Sequence, residues 1–175
     1  MTAARATAMC KLKGSESVFS HILLPTDGSA DSEAAIVSCI RFAQATGAAI
    51  TGVHVMPVLH LFTYEPGVTE AAHAQVRQEN ERHAKRYLEH IEQMASDAGV
   101  KCNTLLLMSD YPFEAIIDAA HNANCDLVAM ASHGRKGVKA MLLGSETHKV
   151  LTHSAIPVLV FPHGSGTATA AEFTS

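Results

Sequence analysis

The chain has no excess of basic residues. Its 175 residues include 13 Lys and Arg against 17 Asp and Glu, a formal charge of −4. Nucleic acid or an anionic membrane would want a basic surface, so neither is an expected partner. No apolar run approaches the roughly 20 residues that span a bilayer. The N-terminus lacks the apolar centre of a signal peptide, and a cytoplasmic location is the resulting expectation. Cys10, Cys39, Cys102 and Cys125 contain no C-x-x-C pair, and three of them sit in apolar segments. They read as buried or tail thiols in a reducing compartment, not as a disulfide or zinc framework. The eleven histidines include no pair at i, i+4. His83 and His90 share a helix face two turns apart and read as solvated, so no metal site built from protein side chains is expected.

What is present describes one domain. Apolar residues make up 47% and charged residues 17%, a globular balance. Residues 1–17 read as a flexible tail, 18–162 as the domain, and 163–175 as a second flexible tail rich in Gly, Ser, Thr and Ala. Within the domain, short apolar runs alternate with helical spacing. Phe19–Pro25, Ala48–Met56, Lys101–Met108, Asp126–Ala131 and Pro157–Phe161 read as strands. Ala34–Ala45 is a helix stopped by Gly47. A long helix carries Val76, Ala84, Tyr87, Leu88, Ile91, Met94, Ala95 and Ala98 on one stripe and is closed by Gly99. Pro112 opens a third helix, and Gly144 to about Ser154 forms a fourth.

Strands of near-continuous apolar residues separated by helices predict an α/β fold, an open five-stranded parallel sheet covered on both faces. Its ligand should lie beyond the carboxyl ends of the strands, where the strand order reverses. Only the first and fourth strands end in polar, glycine-bearing loops: Pro25-Thr26-Asp27-Gly28-Ser29 and Ser132-His133-Gly134. Placing them side by side gives the order 3-2-1-4-5, with the crevice between them.

The fourth strand leads into Gly134, nine residues, then Gly144-Ser145 and a helix. A polyphosphate needs backbone N–H groups without Cβ crowding and a helix N-terminus whose dipole favours anions. Gly144-Ser145 supplies both, and Arg135, Lys136 and Lys139 add positive charge between. The alternative is that these glycines serve only turns and close packing.

Pro25-Thr26-Asp27-Gly28-Ser29, the strand ending Val53-His54-Val55, and the stretch with Ser132-His133-Gly134-Arg135 and Leu142-Leu143-Gly144-Ser145 together resemble the universal stress protein family. The likeness runs from about Phe19 to Phe161 and is most specific from Met130 onward. The ATP-binding branch carries Gly-x-x-Gly-x9-Gly-Ser/Thr; Gly134, Gly144 and Ser145 match it, and Ala131 replaces the first glycine. The resemblance implies an adenine nucleotide, ATP, with Mg2+ or Mn2+ between its phosphates. It puts Asp27 beside the adenine and ribose, Val55 at the adenine edge, and Pro25 and Thr26 around the base. Gly134, Gly144 and Ser145 would hold the phosphates. Met130, Ala131, Ser132, His133, Arg135, Glu146 and Thr147 complete the candidate site. Asp27 also reads as a turn or helix-cap residue.

Rival chemistries fail on particular residues. The Walker string Gly-x4-Gly-Lys-Ser/Thr is absent, which excludes fast hydrolysis by that machinery. A pyrophosphatase-type Ser-Gly-Gly-x-Asp-Ser loop is matched only in part by Asp27-Gly28-Ser29-Ala30-Asp31-Ser32, and Asp27 would repel the pyrophosphate. A response regulator needs a lysine after the fifth strand, where Phe161-Pro162-His163 stands. No catalytic residue is expected; His133, the one base in the phosphate loop, reads as a loop residue. A homodimer through residues 157–161 is expected, because that edge strand has no charge or internal proline to block pairing. The loop Pro57–Val68 is expected to order over the nucleotide or, as an equal alternative, to pack against a dimer mate or the domain's own helices. The competing reading is an interaction module of the same fold that has lost its nucleotide, and Ala131 is the residue that points to it.

Overall fold

In the computed structural model, residues 18–58, 70–134 and 143–162 are described, apart from the side chains of 71–73. Nine elements alternate: β1 His21–Pro25, α1 Ala30–Thr46, β2 Ala49–Met56, α2 Glu70–Asp97, β3 Cys102–Met108, α3 Pro112–Asn122, β4 Leu127–Ala131, α4 Ser145–His153 and β5 Val158–Phe161. The sheet is parallel throughout, in the order β3-β2-β1-β4-β5. The expected fold class and strand order are both borne out. Arg135, the tails, Cys10 and most of the Pro57–Val68 loop lie outside the described residues.

Local chemistry sets the helix ends. The Ser29 side chain accepts a hydrogen bond from the Ser32 N–H and caps α1, which ends at Gly47 in the left-handed conformation, φ 73°. The helix begins four residues before the expected Ala34, because its first turn is polar and carries Asp31 and Glu33. Apolar spacing could not register that turn; the cap and the helix dipole stabilise it. The long helix α2 buries Ala84, Leu88, Ile91 and Ala95, but Val76 is 52% exposed. The expected stripe is therefore corrected at its start, where burial has not yet begun. His90 pairs with Glu33 of α1 at 3.0 Å, and His83 with Glu79 on its own helix at 2.7 Å.

Side-chain alternation along the strands divides the core. Ile22, Leu24 and Ile50 pack with Ile36, Cys39 and Ile40 of α1 and Ile91 of α2. Leu23, Val53 and Val128 pack on the other face with Ile116 and Ala120 of α3 and Val150 of α4. Each such aliphatic side chain contributes about 1.5–3 kcal/mol by leaving water. Burial pushes the Cys39 thiol up to about 12, so it is inert packing at neutral pH.

The amino ends of β1 and β4 are closed by Asp126. Its Oδ2 accepts from the Ser20 N–H at 2.8 Å and the Ser20 hydroxyl at 2.7 Å, and its Oδ1 from the His21 N–H at 2.9 Å. Burial raises the carboxyl's pKa, but the Ser20 hydroxyl and the backbone N–H groups outweigh that effect and hold it below its ordinary value.

Candidate functional site

At the other end of the same strands, the β1–α1 loop is fixed by short bonds within itself. Thr26 N–H donates to Val53 O at 2.9 Å, so the loop leaves the sheet still attached to β2. Thr26 and Ser32 join their hydroxyls at 2.9 Å, both side chains buried. Asp27 N–H donates to Ser32 Oγ at 3.2 Å, and Gly28 N–H to Thr26 Oγ1 at 3.2 Å. Asp27 Oδ1 accepts from Ser29 N–H at 3.0 Å, a turn of the kind that Asp favours. The turn role expected as an alternative for Asp27 is therefore present, while the cap of α1 belongs to Ser29.

The other carboxylate oxygen reaches across to the β4 loop. A Cβ built on Gly134 would stand 2.5 Å from Asp27 Oδ2. A side chain there would force the carboxylate to move aside. From β4 the chain is pinned to α4: Gly144 N–H donates to Ser132 O at 2.7 Å, and Thr147 Oγ1–H to Ala131 O at 2.9 Å. These bonds set the first turn of α4 against the strand end. Ser145, Glu146 and Thr147 fall in the first turn, where backbone N–H groups have no acceptor within the helix.

Between these loops lies a cavity of about 540 Å³, bordered by both loops, the start of α4 and the start of α3. That volume suits a small-molecule ligand. The structure brings twelve of the fourteen candidate residues around it: Pro25, Thr26 and Asp27 from the first loop, Val55 from β2, Met130, Ala131, His133 and Gly134 from β4 and its loop, and Gly144, Ser145, Glu146 and Thr147 from α4. Ser132 does not border it. Its side chain is buried and meets His133 Nδ1 at 3.1 Å, while its backbone ties β4 to Phe161 and Gly144. Arg135 lies outside the described residues.

Two of the twelve carry structural bonds that the sequence did not foretell. The Thr147 hydroxyl is turned onto β4, as above. Glu146 accepts from Phe113 N–H at 3.0 Å and from Lys149 Nζ at 2.8 Å. Its carboxylate thus caps α3, and Lys149 also lies 5.2 Å from the Phe113 ring centre. Ala131 ends β4 in register with Phe161. Among the described residues only Asn124 is a non-glycine with positive φ, so Ala131 is unstrained.

Ser32, Val53, Asp110, Pro112 and Ile116 also border the cavity, and sequence reasoning missed them. Val53 was within reach, since it shares a strand face with Val55. Asp110 and Pro112 follow β3, a strand whose loop carries no glycine to draw attention. Asp110 Oδ1 accepts from Val58 N–H at 3.0 Å. Among the described residues no group of three or more His, Cys, Asp or Glu could hold a metal ion, and no helix is long and apolar enough to cross a membrane.

The family described as "Universal stress protein family" matches residues 19–162. A universal stress protein of Thermus aquaticus, named for its place in the QAH/OAS sulfhydrylase 3′ region, is 33% identical over 147 residues, covering 82% of this chain and 98% of its own. The solved structure of the Methanocaldococcus jannaschii universal stress protein MJ0577 superposes with a TM-score of 0.68 at 29% identity, covering 82% of this chain and 95% of that one. The Archaeoglobus fulgidus universal stress protein, solved in complex with dAMP, shares the fold at a TM-score of 0.56 and 16% identity, covering 82% and 98%.

Proposed function

This chain belongs to the universal stress protein family, and from that premise we propose that it binds an adenine nucleotide, ATP with Mg2+ or Mn2+, in the cavity beyond β1 and β4. The observation that carries the reading is the meeting of Asp27 and Gly134 across a cavity into which the first turn of α4 opens. The residues present fit such a ligand. Gly134 and Gly144 keep side chains out of the phosphate end, and the N–H groups of the first turn of α4 favour an anion. Apolar Pro25, Val53, Val55 and Ile116 suit a base. The dAMP carried by the Archaeoglobus fulgidus neighbour supports the ligand class.

In this reading the nucleoside lies toward Asp27 and Val55, and the phosphates toward Gly134, Gly144 and Ser145. A divalent cation bound with the phosphates supplies positive charge that offsets their repulsion from Asp27. Hydrolysis is expected to be slow or absent, because the phosphate loop offers one candidate base, His133, and the Walker machinery is missing. A turnover number in the ordinary enzyme range of about 1–1000 per second would sink that part. The test of binding is thermal unfolding with ATP and magnesium. Apparent stability should rise by about 2.7 kcal/mol at a hundredfold excess over Kd.

Ala131 is the observation behind the second reading, a nucleotide-free interaction module. Its unstrained backbone favours binding. The proposal extends to a cytoplasmic domain over 18–162 flanked by flexible tails, assembled as a homodimer through residues 157–161. The support for the dimer is that β5 is an edge strand whose four residues are all only half-buried. Light scattering at micromolar concentration should give twice the chain mass, and Val158→Asp with Val160→Asp should return it to a monomer.

A further inference from the structure

Val53-His54-Val55 marks the family, yet only its valines border the cavity. Successive residues of a strand face opposite sides of the sheet, so His54 lies on the far face, toward α2. It is 8% exposed, and its ring centre lies 5.5 Å from that of Tyr87 on α2. His54 Nδ1 meets the Thr26 carbonyl oxygen at 2.7 Å. A carbonyl can only accept, so Nδ1 carries the proton, and the bond fixes both tautomer and ring orientation. Tyr87 also covers the loop itself. A Cβ on Gly28, whose φ is +72°, would run into the Tyr87 ring.

We propose that His54 and Tyr87 form a positioning clamp beneath the β1–α1 loop, setting nucleotide affinity from the face of the sheet opposite the ligand. The clamp rests on the nucleotide reading above. His54 fixes the direction of the Thr26 carbonyl and with it the Thr26–Asp27 peptide. The Thr26 hydroxyl relays that order to Gly28 N–H and to Ser32, whose hydroxyl takes Asp27 N–H. Tyr87 presses on Gly28 from below, which leaves Asp27 one way to face: toward Gly134. Neither residue touches the ligand, so both act through the loop.

The test uses the whole chain and reads the loop both without ligand and with ATP. In the ligand-free protein, His54→Leu should raise amide exchange at Gly28 and Ser29 by roughly tenfold, with exchange at Ala120 and Val128 unchanged; ATP affinity by calorimetry should fall by a similar factor. His54→Asn, which keeps an N–H donor near the place of Nδ1, should restore both. Tyr87→Ala, a substitution of a half-buried residue that spares the core, should loosen the same two amides, and Tyr87→Phe should not. Exchange at Gly28 and Ser29 that ignores both His54→Leu and Tyr87→Ala overturns the clamp. So does a loosened loop that binds ATP like wild type. A wild-type protein that binds no ATP defeats the nucleotide reading, and ligand-free exchange then decides the clamp by itself.

Discussion

Asp126 and Asp27 stand at opposite ends of the same two strands and do opposite things. Asp126 is surrounded by donors from its own chain: the Ser20 N–H, the Ser20 hydroxyl and the His21 N–H close the amino end of β1. Asp27 takes the Ser29 N–H on one oxygen and directs the other toward Gly134 across a cavity. One end of the sheet is sealed by bonds within the protein. The other is held in shape by bonds below the loop while its upper side stays concave. The same residue type closes the sheet at one end and lines the cavity wall at the other.

The comparison can be broken at either end. The largest effect is expected at the phosphate side. A Cβ on Gly144 would make ordinary contacts at 3.4 Å with His133 Cα and Ser132 O. Gly144→Ala should therefore fold normally, whereas Gly144→Val projects branches from the helix start into the cavity. Calorimetry should show ATP binding weakened at least about a hundredfold for the valine variant. If Gly144→Val binds like wild type, the phosphate site is wrongly placed.

A crossed pair of substitutions comes next. Asp27→Ala should weaken ATP by roughly tenfold or more, in line with a hydrogen bond to a charged group, and should shift stability by only a few tenths of a kcal/mol. Asp126→Ala should do the reverse. It should lose about 1 kcal/mol in urea unfolding, a figure discounted because the carboxylate is only partly buried, and keep its ATP affinity. Equal effects of both variants on both quantities would erase the distinction between the two ends.

Acid titration sharpens the same contrast. The folded-state pKa of Asp126 lies below its ordinary 3.8. Its stabilising contribution is therefore complete above that value and is lost as pH falls through the lower folded-state pKa. Asp126→Asn should flatten the stability profile in that acid window, and at pH 7 and above it should lower stability by a constant amount without changing the slope.

The smallest effect is expected at Ala131. Its backbone is ordinary strand, so a glycine there relieves no strain and removes one methyl group from the cavity wall. Ala131→Gly should tighten ATP by at most about tenfold, the equivalent of about 1.4 kcal/mol. Binding by Ala131→Gly alone, with none by wild type, would mean that this methyl group had switched the site off.

Much of this architecture was legible in the sequence because the relevant signals are local. Apolar runs, Gly47, Gly99 and Pro112 mark element ends, and the two polar, glycine-bearing loops disclosed which strands adjoin. The residues that escaped notice act through distance. Glu146 reads as part of a phosphate loop, and nothing in the spacing says that its carboxylate caps α3 thirty-three residues earlier in the chain. Ser132 sits inside the most specific motif, but its backbone joins β4 to Phe161 and Gly144 and its buried hydroxyl meets His133 instead of bordering the cavity. Asp110 reaches the site from a loop without glycine. His54 is visible as a motif residue, and its purpose emerges only when α2 lays Tyr87 beneath it.

The central claim is that the carboxyl end of the sheet is a nucleotide site. Calorimetric titration of the wild-type chain with ATP and magnesium tests it most directly. The account predicts saturable binding of one ATP per chain, weakened by Asp27→Ala and untouched by Asp126→Ala. A folded wild-type protein that gives no binding heat and no rise in Tm at millimolar ATP would contradict it.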